Sequence, residues 1–173
     1  MPITLTGMSR YPLKSCRGQA VQSAVVQPWG LAGDRRWMVV DETGETVTAR
    51  EHPRMLLVRP ELVEAGLLLR GPDLDDLLVP VPDGPIVEVT VFGGAPFVVR
   101  LADPAAHAWF GKLVGAPVRL VYQDDPRRRA TNPDYTADCD CVSCADGYPL
   151  LLATEESLAA RNERTAAGRY PEQ

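Results

Sequence analysis

The sequence predicts a soluble, mainly β fold with some α structure, and three observations carry that prediction. Sixteen Pro and 14 Gly interrupt the 173 residues, which keeps elements short and suits a sheet or barrel better than a helical bundle. Hydrophobic residues make up 45% and charged residues 24% of the chain, the balance of an ordinary globular protein. Valines alternate with polar residues over residues 86–91, the period-two pattern of a half-buried strand.

The strands of the first half are short and are bounded by Gly and Pro. A loop at residues 30–34 and a hairpin turn at residues 42–45 separate some of them, and Pro53 and Pro60 are interpreted as breaks. The predicted strands, in chain order, are residues 3–9, 21–27, 36–41 and 46–48, followed by shorter apolar runs at 55–58, 67–70 and 77–81.

The clearest local signals lie between residues 86 and 122. Residues 86–91 and 97–101 predict a hairpin, because Gly93 and Gly94 provide a tight turn between them. A helix follows, with Asp103 as N-cap, Pro in its first turn and Gly115 as its end. Its apolar face is formed by Trp109, Phe110, Leu113 and Val114. A further strand is expected at residues 118–122.

The last third of the chain is less regular. Residues 123–145 show no periodicity, and a loop of this length in a compact domain is usually functional or disordered. A strand at residues 150–153 and a last helix from Glu155 to about Arg164 are predicted, with Thr154 as cap and Leu158 on the inner face. The polar residues 165–173 are interpreted as a linker.

Charge and hydropathy restrict the possible partners and location. A net charge of −5 disfavours general nucleic-acid binding, which needs a basic face. The start of the chain lacks the features of a signal peptide, and no apolar run approaches the roughly 20 residues of a membrane span. A cytoplasmic protein without a membrane partner is therefore predicted, and its four Cys are expected as thiols or metal ligands.

Cationic residues follow several predicted strands and predict a site for an anion. Lys14 and Ser15 can both donate hydrogen bonds to a phosphate or carboxylate, although a solvated loop is the alternative interpretation. Asp34 can hold one neighbouring guanidinium, and of Arg35 and Arg36 only one can face a given pocket. Arg50 also follows a strand.

The long loop holds two further clusters. The run of three arginines at residues 127–129 is typical of a solvated face, or of the rim of an anion pocket. Cys139, Cys141 and Cys144, with Cys16 as a fourth thiol, are a candidate metal clip, but they lack the paired knuckles of a zinc ribbon. No metal ligand is assigned.

Four segments carry a family resemblance: YPLKSC (11–16), GLAGDRRW (30–37), VTAREHPRM (47–55) and ADGYPLLLATEESLAARN (145–162). Taken together and in order, they resemble the MOSC family, specifically its two-part members with an N-terminal β-barrel domain. That group includes molybdenum enzymes that reduce amidoximes. The resemblance implies a barrel-like domain over residues 1–122, then a connecting loop and the opening strand and helix of an incomplete MOSC domain over residues 123–173.

The resemblance also implies a molybdopterin-type molybdenum cofactor, a pterin with a dithiolene and a terminal phosphate. In the family a Lys-Ser pair and the Arg of an Asp-Arg-x-Trp motif bind this cofactor, which implies Lys14, Ser15 and Arg35. The family's later Asp corresponds to Asp146, with Gly147 and Tyr148 beside it, and Arg50 is added as a neighbour. No residue is assigned a catalytic role.

In this family a Cys beyond an Arg-Pro-Asn segment ligates the molybdenum, and the sequence ends at Gln173 before either. The chain is therefore expected to be a fragment, to be completed by a second chain or in a dimer, or to be a degenerate relative. Alone it is expected to bind the cofactor weakly or not at all and to catalyse no turnover.

Three functions are considered. The leading hypothesis, implied by the resemblance, is the N-terminal part of a molybdenum-dependent oxidoreductase that reduces small N-hydroxylated compounds with electrons from a separate protein. The second is a sulfur carrier that uses a persulfide on Cys144 or Cys16. The third is a non-catalytic module that docks a redox partner.

Overall fold

A computed structural model describes residues 3–137 and 140–164. Within them the chain forms eleven strands, two α-helices and two short 3-10 helices, which confirms the mainly β prediction. The strands are β1 (Ser9–Arg10), β2 (Gln19–Ala20), β3 (Val26–Gln27), β4 (Gly30–Leu31), β5 (Trp37–Val40), β6 (Arg59–Val63), β7 (Gly66–Arg70), β8 (Leu77–Pro80), β9 (Ile86–Val89), β10 (Phe97–Leu101) and β11 (Arg119–Tyr122). The helices are α1 (Pro104–Val114) and α2 (Glu155–Arg164), with 3-10 helices at Pro53–Leu57 and Pro126–Arg128.

The strands form antiparallel sheets. The largest has four strands in the order β5-β11-β10-β9, and a second has three in the order β6-β7-β8. The pairs β1-β2 and β3-β4 are two-stranded. The predicted hairpin is confirmed by β9 and β10, in which Val89 lies opposite Phe97.

Strand β5 is the centre of the core because it is buried on both faces. Trp37 and Val39 pack with α1 and the three-stranded sheet in the larger apolar cluster. Met38 and Val40 point the other way and pack with β9, β10 and Cys144 in the smaller one. The alternation follows from the period of two along a strand. The four-stranded sheet therefore has an apolar layer on each face.

The second face of that sheet is covered by the end of the long loop. All five residues from 141 to 145 are buried. The Cys144 amide donates to the Arg35 carbonyl at 2.9 Å, and the Val142 amide donates to the Arg129 carbonyl at 3.0 Å. A segment that shows no periodicity in the sequence is thus fixed by backbone hydrogen bonds and burial.

Helix α1 has the predicted bounds. Gly115 ends it in the left-handed conformation with φ of 75°, and Trp109, Phe110 and Leu113 are buried on the predicted face. Asp103 occupies the N-cap position, but its side chain makes no capping hydrogen bond.

Several predicted strands are wrong in position or absent. Only the end of the predicted strand at residues 3–9 is a strand, and residues 55–57 belong to a 3-10 helix. Strand β6 was missed because Pro60 was interpreted as a break. Since β6 is an edge of its sheet, the missing Pro60 amide costs no hydrogen bond between strands.

The prediction of a strand at residues 150–153 is also wrong. These residues have no strand partner in the described structure, and Leu151 and Leu152 are each 86% exposed. Helix α2 is present and Thr154 caps it, since the Thr154 hydroxyl accepts from the Ser157 amide at 3.1 Å. Leu158 is exposed rather than on an inner face. Neither α1 nor α2, the α-helices of the described part, has the length and apolarity that a membrane crossing needs.

Candidate anion-binding site

Lys14 is held in the interior by the loop that follows β1. Leu13 forms an isolated parallel bridge with Trp37, and the Lys14 amide donates to the Trp37 carbonyl at 2.9 Å. The Lys14 side chain is only 4% exposed, and its ammonium is hydrogen-bonded to the Asp146 carboxylate. Burial lowers the pKa of Lys14, and the bond to Asp146 offsets only part of that effect. The Lys14 ammonium, which is buried and paired with a single carboxylate, would be stabilised by a second anion.

Arg35 is fixed next to Lys14 because its loop interlocks with the Lys14 loop. The Arg35 amide donates to the Tyr11 carbonyl at 2.6 Å, and the Tyr11 amide donates to the Asp34 carboxylate at 2.7 Å. Asp34, 3% exposed, also pairs with the Arg35 guanidinium, which lies 5.0 Å from the centre of the Tyr11 ring. Arg36 points the other way and donates to the carbonyls of residues 123 and 124, as expected for successive residues of a strand.

Arg50 approaches from a third segment, after the bridge at Thr46. Its guanidinium lies 3.9 Å from the Asp146 carboxylate, and its side chain is 75% exposed. The Phe92 ring lies beneath both cations, 5.1 Å from the Arg50 guanidinium and 5.3 Å from the Lys14 ammonium. Ring faces attract cations, so Phe92 helps to hold the two positive groups together.

Asp146 is the point on which these side chains converge. Burial alone would raise the pKa of its carboxyl, but the hydrogen bond from Lys14 and the charges of Lys14, Arg50 and Arg35 hold that pKa below its ordinary value. The Asp146 side chain is 64% exposed, so the site opens to solvent. We use the name cationic cluster for Lys14, Arg35, Arg50 and Arg129 around Asp146.

The other predicted site residues lie along the same two segments. Ser15 adjoins Lys14 in a left-handed conformation with φ of 63°, and its hydroxyl makes no hydrogen bond to another described residue. Gly147 and Tyr148 follow Asp146, and a side chain added at Gly147 would meet no atom within 4 Å among the described residues. Tyr148 is 45% exposed, and no described contact joins it to the cations.

Arg129 belongs to the cluster although the sequence did not separate it from its neighbours. Arg127 and Arg128 are exposed and pair with Asp125 and Asp124, each at 2.8 Å. Arg129 instead turns inward and donates to the Ser143 carbonyl, to the Ala145 carbonyl at 2.6 Å and to the Asp146 carbonyl at 3.2 Å. Burial lowers its pKa, and the Asp146 charge opposes that effect. No signal within the run marks the third arginine, because all three have the same chemistry.

Phe92 was also missed, and Glu45 holds it in place. Phe92 has a φ of 53°, a backbone conformation that bulky residues rarely adopt. The Glu45 carboxylate accepts from the Phe92 amide at 2.7 Å, from the Gly93 amide at 3.1 Å and from the Thr90 hydroxyl. These bonds fix the β9–β10 turn that presents the ring to Lys14 and Arg50.

Glu45→Gln should lower the free energy of unfolding by about 1 kcal/mol at pH 7, because the turn loses its charge-assisted hydrogen bonds. Although burial would raise the pKa of Glu45, the bonds from Thr90, Gly93 and Phe92 hold it below its ordinary value. The stabilisation is therefore present above the unfolded-state pKa and is lost as pH falls through the lowered one. Urea unfolding at both pH values should show a smaller difference in the free energy of unfolding between the unaltered chain and the variant at pH 3 than at pH 7. Glu42→Gln, on the same turn, is the control, and a difference equal at both pH values would contradict this role.

The thiols lie in the interior and not at the open side of the site. Cys144 and Cys16 are buried, and the Cys144 thiol lies 3.7 Å from the Gln123 side-chain oxygen. Burial raises the pKa of Cys144 to about 11 and raises that of Cys16 still further. Cys139 of the proposed metal clip lies outside the described residues, and those that are described contain no group of three or more His, Cys, Asp or Glu side chains placed to hold a metal ion.

Comparison with known proteins identifies a family whose model this chain matches. The family model of the MOSC N-terminal beta barrel domain matches residues 3–117. The chain is 32% identical over 167 residues to mitochondrial amidoxime-reducing component 1 of Xenopus laevis, an alignment that covers 89% of this chain and 48% of that protein. It is 33% identical over 165 residues to the human protein of the same name, covering 89% and 49%.

A molybdenum cofactor sulfurase of Oryza sativa subsp. japonica is 29% identical over 180 residues, covering 96% of this chain and 22% of that protein. The chain spans about half the length of the amidoxime-reducing relatives.

Proposed function

The chain belongs to the family defined by the MOSC N-terminal β-barrel domain, and on that premise we propose that it is the N-terminal part of a molybdenum-cofactor-binding oxidoreductase. Its own share of the function is to bind the phosphorylated end of the pterin cofactor. The observation that carries the proposal is the convergence of Lys14, Arg35 and Arg50 on Asp146 from three separate segments. The residues proposed to line the cofactor are Lys14, Ser15, Arg35, Arg50, Asp146, Gly147 and Tyr148.

The charge of the site fits a phosphate group. The four cations of the cationic cluster face two carboxylates, Asp34 and Asp146, so the cluster carries a net charge of +2. A phosphate monoester carries about 1.5 to 2 negative charges at pH 7. The Ser15 hydroxyl, which has no partner among the described residues, supplies a neutral donor beside Lys14.

Each group has a distinct task in this arrangement. Lys14 provides a buried point charge, and its low exposure strengthens the attraction to an anion. Arg35, oriented by Asp34, presents a fixed guanidinium suited to two phosphate oxygens. When bound, the cofactor supplies two-electron oxygen-atom chemistry, and the protein binds and orients it.

The remaining parts of the proposal concern the whole protein. We propose that residues 1–122 form the barrel domain and that residues 123–173 begin the MOSC domain. Small N-hydroxylated substrates and a separate electron-transfer protein are proposed because the Xenopus and human relatives are named as amidoxime-reducing components. The cytoplasmic location stays a prediction from the sequence.

The proposal can be tested by anaerobic equilibrium dialysis of the chain against molybdenum cofactor freshly released from a molybdoenzyme. Bound pterin is measured by its fluorescence after oxidation. Arg50→Gln should weaken binding about three- to fivefold, because an exposed charge contributes about 1 kcal/mol or less. Arg54→Gln is the matched control, since Arg54 is also exposed but pairs with Asp73 outside the cluster. Equal binding by both variants, or no more bound pterin than with serum albumin, would contradict the proposal.

The sulfur-carrier alternative gains no support from the two thiols considered for it. A persulfide forms on an accessible thiolate, whereas Cys144 and Cys16 are buried and their pKa values are raised. No observation on the described residues favours the docking-module alternative over the cofactor site.

A further inference from the structure

A second concentration of positive charge lies in a cleft apart from the cationic cluster. The cleft has a volume of about 690 Å³ and lies between residues 10–21 and the β6–β7 hairpin. None of the cationic-cluster residues lines it, and Glu61 is the one carboxylate among its described lining residues. We call it the arginine cleft, after Arg10, Arg17, Arg59 and Arg70.

The charges of the arginine cleft are not balanced within the protein. Arg70 pairs with Glu61 at 2.6 Å and with Asp76 at 3.0 Å. Arg17 and Arg59 form no ion pair with any described residue, which leaves their charges to solvent or to a ligand. This positive region occurs on a chain whose net charge is −5. The imbalance is therefore local, and its sign attracts anions.

The register of β6 and β7 places two of these arginines side by side. Arg59 lies directly opposite Arg70 in the antiparallel pair, on the exposed face of the hairpin. Like charges directly opposite one another in a sheet are destabilising. Glu61 and Asp76 offset this repulsion by pairing with Arg70. The charges of Arg17 and Arg59 have no such partner among the described residues, and an anion bound beside them would supply it.

Arg10 adds one buried donor without an acceptor and two partly buried donors with distant ones. Its Nε atom is buried and has no hydrogen-bond partner among the described residues. Its two terminal nitrogens make only long bonds, 3.3 Å to the Gln19 side-chain oxygen and 3.5 Å to the Ala32 carbonyl. Gln19 is itself fixed, because its amide donates to the Pro60 carbonyl at 2.7 Å. A buried donor left unpaired costs free energy that an acceptor would recover.

We propose that the arginine cleft binds a soluble ligand through a phosphate or diphosphate group. A guanidinium presents its N–H groups in a planar fork that matches two oxygens of such a group. Three arginines without a full complement of acceptors, Arg10, Arg17 and Arg59, fit a multiply charged oxyanion better than a single carboxylate. This ligand is distinct from the cofactor, because no residue of the cationic cluster takes part.

Nuclear magnetic resonance titration of the chain with inorganic pyrophosphate at constant ionic strength tests the proposal. The backbone amides of residues 18–21, which line the cleft, should shift and saturate with a Kd below about 1 mM. Acetate at the same ionic strength should produce no saturable shift of these amides. Because each amide reports its own position, pyrophosphate bound at Lys14 and Asp146 is distinguished from pyrophosphate bound in the cleft.

A double variant, Arg17→Gln with Arg59→Gln, should weaken pyrophosphate binding at least about tenfold, since each charged donor contributes more than a neutral one. Both side chains are exposed and neither forms an ion pair with a described residue, so the variant should remain folded. Arg54→Gln, which removes an exposed arginine outside the cleft, should bind within about twofold of the unaltered chain.

Three results would overturn the proposal. The first is a shift of residues 18–21 that grows linearly without saturation, as expected for a merely solvated arginine face. The second is saturable binding that the double variant retains in full. The third is co-sedimentation with phosphatidic acid vesicles that the double variant loses, since the ligand would then be a lipid headgroup and not a soluble molecule.

Discussion

Lys14→Ala should weaken cofactor binding about 100-fold, the largest functional effect expected of a single substitution in this chain. Lys14 is the one deeply buried cation of the cationic cluster, and a charge in a site with little water interacts more strongly than an exposed one. Arg50, which is 75% exposed, is expected to contribute far less. The loss of cofactor affinity is therefore expected to be larger for the buried Lys14 than for the exposed Arg50.

The same substitution should change the free energy of unfolding by no more than about 1 kcal/mol, because the carboxylate left behind on Asp146 is 64% exposed and stays hydrated. Lys112→Ala is the matched control, since Lys112 is the other lysine of the chain and lies on α1. Equilibrium dialysis measures the affinity, and urea unfolding measures the stability. Equal cofactor affinity in the Lys14 and Lys112 variants would remove Lys14 from the site.

The pH dependence of binding gives an independent check on Lys14. Burial lowers its pKa from the ordinary lysine value of 10.5, so the ammonium loses its proton earlier than an exposed lysine as pH rises. Only the protonated form attracts a phosphate. Affinity should therefore fall between pH 7 and pH 10 in the unaltered chain, and the Lys14→Ala variant should lack that part of the decline.

Trp37→Ala should lower the free energy of unfolding by about 3–5 kcal/mol, the largest expected loss of stability. Trp37 is 1% exposed in the larger apolar cluster, and its ring centre lies 4.8 Å from that of Tyr122. Removal of the indole would leave a cavity between β5, α1 and the three-stranded sheet. The cost approaches the whole stability of an ordinary domain, so the variant should be partly unfolded at room temperature.

Trp29→Ala provides the control for Trp37, because it makes the same chemical change outside the buried core. It should cost about 1 kcal/mol or less. Urea unfolding followed by far-ultraviolet circular dichroism compares the two. A cost below about 1 kcal/mol for Trp37→Ala would mean that the core does not depend on β5 in the way its burial indicates.

Trp37 also links the core to the site. Its carbonyl accepts the Lys14 amide, and its own amide donates to the Pro12 carbonyl at 3.2 Å. Loss of the Trp37 ring should therefore disturb the Lys14 loop, whereas loss of the Lys14 side chain should not disturb the core. The position of the Lys14 ammonium therefore depends on the packing of the Trp37 ring, but the packing of the core does not depend on the Lys14 side chain.

The elements that could be predicted were those specified by neighbouring residues. The β9–β10 hairpin and α1 were predicted because apolar periodicity, Gly turns and caps all act within a few residues. The elements that were wrong depend on partners elsewhere. Pro60 is interpreted as a break from its sequence, whereas pairing with β7 places it in an edge strand. Residues 150–153 have the apolar pattern of a strand, but no described residue pairs with them.

The same division holds for the candidate site. The sequence alone determined which short segments carry the cationic side chains of the site, because Lys14, Arg35 and Arg50 lie beside turns and strand ends. The family resemblance implied that Asp146, 132 residues from Lys14, shares their site. The tertiary structure alone decided which side chains touch there, and that Arg129 and Phe92 join them. A side chain's chemistry is encoded at its own position, whereas its neighbours in space are set by the packing of sheets and loops far apart in the chain.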